Sequence, residues 1–544
     1  MVRTATGLHR SWRSWRSWRG LAVAGFAAFS LLLSAVAPAQ TLRVATAFDA
    51  GTMDPHAIAL LYHSRVVFQV YDSLVGRNET FQMEPALALS WQQVQPTVWR
   101  FKLRPGVRFH DGSSFTAADA VFSIQRALAP TSQRAFQLKG VTRARAVDAL
   151  TLDIELEAPD AVLPDKLQYI AMMSRAWAEQ HGVQTPQDFN AKQETHAARH
   201  ANGTGPFRLL RHEPDVRSVL QRHAGWWGAT DAEQRPRLGN VQEAQFVAIR
   251  SDATRVAALA SGEIDMVLDP PFQDVQRLQR NPRLRLLQTA DMGQQYFAFD
   301  QASTELRDSS VKGRNPFKDL RVRQAVYHAL NVPLIIDKVL RGQAEPTGAF
   351  LSDRVGGVPA EPGRLPFDPV RARSLLREAG YPQGFDVTLD CVNVAWREAV
   401  CQAAAAMLTQ VGIRTTLRSS VSGQFFPKLT QGLGSFMEFG WSPNPDAWNS
   451  LNALVRTYSA SGYGTFNAGR YSNPALDAQI DALRTEPDLQ RRNERVAAVL
   501  ATMAQELPLV PLYRRKLNWA MRSQVSAVIW PNDTLELRWV RMEK

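Results

Sequence analysis

The chain of 544 residues contains only two cysteines and lacks the short motifs that mark common catalytic centres. It has no G-x-S-x-G, H-E-x-x-H, C-x-x-C, Walker A or G-x-G-x-x-G sequence. No nucleophile, general base and oxyanion donor can be assembled from what remains, so we predict no catalytic residues and no enzymatic activity. The alternative is an exported hydrolase whose catalytic groups meet only in the folded chain.

Histidines are present, but their spacing gives no metal site. His196 and His200 stand four residues apart, which would let them face one ion on a helix. No acid or third histidine lies next to them, so we interpret them as a solvent-exposed helix end. His110 is interpreted as a turn residue. We therefore predict no metal and no cofactor.

The chain also lacks a charge density typical of nucleic-acid binding. The formal net charge is +12, and five arginines lie among the first 20 residues, so +7 remains on residues 40–544. That charge is too dilute to indicate a nucleic-acid partner. The chain length favours two or three domains.

The first 39 residues have the pattern of a secretory signal. Residues 1–20 are basic, residues 21–37 carry no charge, and Ala37-Pro38-Ala39 has small residues at the cleavage positions. We predict removal of residues 1–39. No cysteine precedes Cys391, so we expect no lipid anchor and a periplasmic protein.

The only cysteines, Cys391 and Cys401, are ten residues apart. In an oxidising compartment this spacing predicts a disulfide, worth about 3 kcal/mol. The alternative is a pair of buried free thiols.

The pattern of strands and helices indicates an α/β protein. Residues 320–331 place apolar side chains on one helical face. Asp368 and Gly380 bracket another predicted helix, and Thr116 with Asp119 forms a predicted capping box. Predicted strands include residues 41–47, 98–103, 107–110, 385–390 and 413–419. Their alternation with helices predicts sheets that are covered by helices.

A family resemblance emerges from these segments taken together. EPALALSWQQVQPTVWRFKLRPGVRFHDGSSFTAADAVFS resembles the signature region of the extracytoplasmic solute-binding proteins of peptide-type ABC importers, family 5. Similar segments follow in the family's order, among them NGTGPFRLL, LRVRQAVYHALN, GRYSNPALDAQIDAL and LPLVPLY. The similarity covers nearly all of residues 40–544.

The resemblance implies a two-lobed periplasmic binding protein fold, type II-like, with an enlarged first lobe and a ligand cleft between the lobes. Lobe I would comprise residues 40–288 plus 509–544, including an extra subdomain. Lobe II would span residues 289–508. The chain would cross between the lobes near residues 286–299 and 508–519.

The resemblance also implies a function. The protein would be a monomeric periplasmic receptor that captures a small peptide or peptide-like solute and delivers it to an inner-membrane ABC permease. The alternative ligands are haem, a metal chelate, an opine, a sugar or a glutathione-like thiol.

The implied ligand contacts centre on the loop GWSPNPDAWNSL. In the family this loop carries an aspartate that pairs with a peptide's ammonium group. Here Asn444 takes the first acidic position and the loop looks one residue shorter, so Asp446 is its only acid. Asp446 either binds the ammonium or caps the following helix. Trp441 or Trp448 would form a flat wall for the ligand, and core packing is the alternative, above all for Trp441.

Two further stretches match cleft-facing segments of the family. In CVNVAWREA, Trp396 would cover the ligand, and Arg397 would receive a carboxylate or, alternatively, start a solvated helix. In FDAGTMDPHA, Thr52 and Met53 would line the opposite wall.

The predicted signal gives a direct test. We expect exported protein to begin near Gln40 and to be recovered from the periplasmic fraction without lipid, because the basic, apolar and small-residue regions are in the order that signal peptidase requires. N-terminal sequencing and intact mass measure this. An uncleaved leader or protein held in the membrane would contradict it.

Overall fold

The computed structural model describes residues 40–543 except 190, 192, 233, 234, 361, 362, 444, 445 and 461. The predicted signal, residues 1–39, and Asn444 lie outside the described residues. Among the described helices, none combines the length and the apolar character that a membrane span needs.

Fourteen α-helices and twenty strands are present in the described part of the chain. The strands are β1 (Thr41–Thr46), β2 (Val75–Arg77), β3 (Met83–Pro85), β4 (Ala88–Gln95), β5 (Val98–Leu103), β6 (Val141–Asp148), β7 (Thr151–Leu156), β8 (Phe207–Glu213), β9 (Arg217–Arg222), β10 (Glu243–Ala248), β11 (Met266–Val267), β12 (Leu284–Ala290), β13 (Gln294–Phe299), β14 (Ala344–Pro346), β15 (Phe385–Val392), β16 (Ile413–Ser420), β17 (Phe436–Trp441), β18 (Leu509–Arg522), β19 (Val525–Ser526) and β20 (Arg541–Met542). The helices are α1 (Leu61–Val67), α2 (Ala117–Ala127), α3 (Leu163–Lys166), α4 (Arg175–Gln180), α5 (Asp252–Ser261), α6 (Val275–Gln279), α7 (Leu320–Ala329), α8 (Val332–Lys338), α9 (Pro369–Glu378), α10 (Ala395–Val411), α11 (Ser422–Thr430), α12 (Ala447–Leu454), α13 (Pro474–Thr485) and α14 (Leu489–Glu506).

A large mixed sheet runs through most of the structure. Its strand order is β16-β15-β17-β13-β18-β11-β1-β10-β9-β8, and β12 and β14 also pair with β18. The first part of β18 pairs with β13, and its second part pairs with β12 and β11. Strand β18 therefore joins two halves of the sheet.

Three main apolar clusters underlie this arrangement. The largest is built mainly from residues 292–513, and the second from residues 42–268 and 519–540. The third, from residues 74–172, lies against the separate sheet β4-β5-β7-β6. The half that contains β1 therefore carries an additional subdomain.

The local predictions for helix ends are confirmed. Thr116 and Asp119 form the capping box of α2. Asp368 accepts a hydrogen bond from the backbone of Arg371 at the start of α9, and Gly380 has a φ of +88° just beyond its end. These short-range signals succeed because the partners are three or four residues apart.

The strand predicted at residues 107–110 is wrong. A single β-bridge joins Arg108 to Ser114, and no ladder forms there. The backbone of Phe109 instead receives a turn bond from Gly112 N–H, and His110 N–H donates to Gly203. Phe109 N–H donates to the Ser113 carbonyl and Phe115 N–H donates to the Val107 carbonyl, so backbone pairing is confined to the few residues that flank the turn.

The two cysteines form a disulfide in the structure. Cys391 is on β15 and Cys401 is on α10, and both side chains are fully buried. The bond therefore ties a helix to the strand that precedes it.

We expect the double substitution Cys391→Ala/Cys401→Ala to lower the unfolding free energy by about 2–3 kcal/mol, because it releases a short loop in the unfolded chain. Denaturant titration measures this loss. As a companion measurement, thiol counting in denatured, non-reduced wild-type protein should find no free thiol. Two free thiols would contradict the pairing.

Candidate functional site

Two chain segments cross between the halves of the large sheet, and an ion pair joins them. Residues 291–293 form one crossing, between β12 and β13. The middle of β18 forms the other. Arg515 Nη2 lies 3.0 Å from Asp291 Oδ2, and Asp291 N–H donates to the Arg515 carbonyl at 2.9 Å. These contacts hold the two crossing segments side by side.

Trp396 lies next to this crossing. It is the second residue of α10 and is half-buried. Its ring centroid is 6.4 Å from that of Phe272, which follows β11 in the other half of the sheet. The Arg515 guanidinium lies 5.7 Å from the Trp396 ring centroid. The predicted ligand cover is thus an aromatic side chain between the two halves.

Arg397 has a protein carboxylate as its partner, where the sequence predicts a ligand carboxylate. Its Nε lies 2.9 Å and its Nη2 2.8 Å from Glu438 Oε2. Glu438 is fully buried on β17, and burial raises the pKa of its carboxyl group. Removing either partner would leave a buried charge uncompensated. The arrangement suits a structural ion pair.

Both tryptophans of the 440–454 loop and helix pack against protein. Trp441 Nε1 donates to Ser450 Oγ at 2.9 Å, and its ring lies 5.2 Å from that of Phe466. Trp448 is buried, with Lys166 and Arg484 placed 5.5 and 5.4 Å from its ring centroid. The core-packing alternative therefore describes Trp441 in this structure.

Asp446 caps α12 and also forms an ion pair. One carboxylate oxygen accepts the Trp448 N–H at 2.8 Å, and the other lies 2.7 Å from Arg492 Nη2. Burial raises the pKa of Asp446, and the Arg492 charge opposes that effect. The carboxylate already has a cationic partner, so a ligand ammonium that paired with Asp446 would share it with Arg492.

Thr52 and Met53 are fully buried and do not line a described cavity. Thr52 Oγ1 donates to Gln187 Oε1 at 2.8 Å, and Met53 belongs to the second apolar cluster. In this structure both residues stabilise the loop after β1 from within the core.

A cavity of about 310 Å³ lies beside the 440–446 loop. Segments 59–77, 134–137, 168–169, 442–443 and 530–538 contribute most of its lining. Ligand pockets typically measure about 300–1,000 Å³. The loop predicted to touch the ligand therefore borders a cavity through Ser442 and Pro443.

Most charges around this cavity are paired with other protein charges. Arg77 forms an ion pair with Asp165, and Arg538 forms ion pairs with Glu84 and Glu536. Burial raises the pKa of Glu536 to about 7. These pairs neutralise charge within the wall of the cavity.

A second cavity of about 580 Å³ lies where residues 353–358 and 486–493 face residues 77–99 and 161–165. Asp446 and Arg492 line it, together with Asp165. Its best-buried charges neutralise each other in the pairs described above. We favour the first cavity as the ligand site because it borders Ser442–Pro443 and retains unpaired charge.

Two charged residues of the first cavity, Arg134 and Asp72, are not among the residues predicted from the sequence. Each stands in a stretch without a recognisable motif. Their neighbours in the cavity come from segments as distant as residues 442–443 and 530–538, so no local pattern could reveal them.

The described residues give little basis for a metal centre. Their one group of three metal-ligating side chains is Cys391, Cys401 and Glu438, and the disulfide removes both thiolates. His196 stacks on His181 and His200, with ring centroids 4.1 and 4.0 Å apart.

Substitution of Asp446 separates its structural role from ligand binding. We expect Asp446→Asn to lower the unfolding free energy by roughly 3 kcal/mol, because Arg492 loses its counter-charge in a buried position. Asp368→Asn is the matched control, because Asp368 caps a helix from a less buried position. Its expected loss is about 1 kcal/mol or less.

Denaturant titration and titration calorimetry of both variants measure the two effects. Equal small losses of stability would contradict the structural role of the ion pair. A large loss of affinity with unchanged stability would favour the ammonium contact.

Comparison with known proteins places the chain in a family. Residues 82–462 match the family model of the bacterial extracellular solute-binding proteins, family 5 Middle. The glutathione-binding protein GsiB of Escherichia coli (strain K12) is 26% identical over 530 residues, which cover 94% of each chain.

Solved structures agree in fold. HbpA2 from Haemophilus parasuis has a TM-score of 0.79 at 21% identity, over 93% of this chain and 100% of that one. DppA from Helicobacter pylori, a periplasmic binding protein in complex with the peptide STSA, has a TM-score of 0.70 at 22% identity, over 93% and 98%. The predicted two-lobed α/β fold class is confirmed. This chain therefore belongs to the bacterial extracellular solute-binding proteins, family 5.

Proposed function

We propose that this protein captures a short peptide or peptide-like solute between its lobes and delivers it to an inner-membrane ABC permease. The family is one of solute-binding proteins. One relative is named for binding glutathione, and one structural neighbour was solved with a peptide. The observation that carries the proposal is the cavity bordered by Ser442–Pro443 and by segments of the other half of the sheet.

The proposed lobes keep the predicted bounds, residues 40–288 with 509–544 and residues 289–508. Support comes from the apolar clusters, which are built mainly from residues on either side of these bounds. Strand β18 changes its pairing partner from β13 to β12 near Arg514–Lys516, a few residues beyond the predicted bound at 509. We propose that this exchange and residues 291–293 act as the hinge.

The proposal assigns binding and no chemistry to the chain. Family 5 consists of binding proteins, which supports a receptor role over an exported hydrolase. We further propose a monomer, with a cleaved leader and no lipid anchor, that acts in the periplasm. The dilute positive charge supports the absence of a nucleic-acid partner.

Native mass spectrometry of freshly purified protein tests the ligand class, because a closed cleft retains bound solute. We expect a bound species with a peptide mass, and saturable binding of Ala-Ala, Ala-Ala-Ala or glutathione in titration calorimetry. Denatured and refolded protein is the control, since it starts without a retained ligand.

Retention of haem, a metal chelate, an opine or a sugar, without any peptide binding, would replace the peptide class with that ligand. Turnover of a peptide without retention would contradict the receptor role and favour a hydrolase.

A further inference from the structure

Two charged groups of the 310 Å³ cavity have no ion-pair partner of opposite charge among the described residues. They are Arg134 and Asp72. The other arginines and acids of the lining are paired within the protein. The cavity therefore presents one cation and one anion that lack a direct ion-pair partner, and Arg538 stabilises the charged form of Asp72 from a longer distance.

Arg134 is held in place without being neutralised. Its side chain is buried, and residue exposure is 4%. Nη2 donates to the Ser64 hydroxyl at 2.8 Å, and the guanidinium lies 5.8 Å from the Phe68 ring centroid. Nε is buried without a hydrogen-bond acceptor in the described structure. Burial lowers the pKa of Arg134 to about 10, so the group remains charged at neutral pH.

Burial of the Arg134 charge lowers the stability of the protein unless an anion binds next to the guanidinium group. A buried charge without a partner costs several kcal/mol. A guanidinium offers a planar set of donors that matches a carboxylate. A free donor beside a cavity therefore points to a ligand carboxylate.

Asp72 is oriented by three donors that all reach the same oxygen. Thr204 Oγ1 lies 3.0 Å, Trp226 Nε1 3.3 Å and Trp227 Nε1 2.8 Å from Oδ2. No hydrogen bond from a described side chain goes to Oδ1. Burial raises the pKa of Asp72 to about 6, which leaves it mainly ionised at pH 7. Neutral donors therefore fix the orientation of the carboxylate, and its negative charge can still attract a cationic group of a ligand.

We propose that the cavity binds a zwitterion, with Arg134 receiving its carboxylate and Asp72 its ammonium group. This inference rests on the proposed function and assigns both charged contacts to residues outside the 440–446 loop. An amino acid, a dipeptide or a tripeptide has the required pair of charges. Tyr169 and Phe136 line the same cavity and provide apolar surface for side chains between the two ends.

Blocked peptides test each contact separately. Titration calorimetry compares Ala-Ala-Ala with its N-acetyl and C-amide derivatives on wild-type protein, Arg134→Gln and Asp72→Asn. We expect each blocked derivative to bind wild-type protein at least about 30-fold more weakly, because a desolvated charge loses its partner. Ala-Ala and glutathione extend the panel to other lengths.

Each variant should lose the preference for one free end of the peptide, either its carboxyl group or its amino group, and should keep the other. Arg134→Gln should bind the free and amidated peptides within about 3-fold of each other while retaining the penalty for acetylation. Asp72→Asn should show the reverse pattern. Arg143→Gln, on the exposed part of β6, is the control and should retain both preferences. Thermal melts exclude unfolded variants from the comparison.

The outcomes separate this inference from the proposed function. Wild-type protein that binds no peptide of the panel overturns the peptide class and this inference with it. If wild-type protein binds Ala-Ala-Ala and its blocked derivatives equally, the receptor role stands. The zwitterion site is then overturned. This comparison does not depend on either variant folding. An Arg134→Gln protein that still discriminates against the amide overturns the assignment of Arg134.

Discussion

Strand β18 is the constraint on which the rest of the structure depends. It pairs with strands of both halves of the large sheet, so each half is completed by the same 14 residues. The stretches 509–513 and 517–521 are mainly apolar and are buried, whereas Arg515 and Lys516 between them are half-buried. Charged side chains are costly inside an apolar core. The charged middle therefore marks the place where the strand leaves one core and enters the next.

The buried charges of this protein serve two different purposes. Arg397 with Glu438, and Arg492 with Asp446, form buried pairs that hold secondary-structure elements together. Arg134 instead has neutral neighbours and no acidic partner in the described structure. A binding protein needs both kinds, because paired charges fix the walls and uncompensated charges attract the ligand.

Local sequence patterns predicted individual elements well and long-range contacts poorly. The cap at Thr116 and the helix starts at Asp368 and Asp446 are correct, because each depends on atoms within three residues. The strand predicted at residues 107–110 is wrong because its pairing with residues 113–115 extends over only a few residues on each side of a tight turn. Thr52 and Met53 were predicted to line the cleft, but their side chains are turned into the core.

The sequence by itself determined the family, the α/β class and the loop that borders the cavity, because many separate segments agree and each has its own local signal. It also selected Asp446 and Arg397 as candidate contacts for a ligand's ammonium and carboxylate, without showing which protein charges lie beside them. Only the tertiary structure decided that Arg492 and Glu438 neutralise them, 46 and 41 residues away in the chain. It likewise brought Arg134 and Asp72 to one cavity, since burial and charge compensation arise only when distant segments pack together.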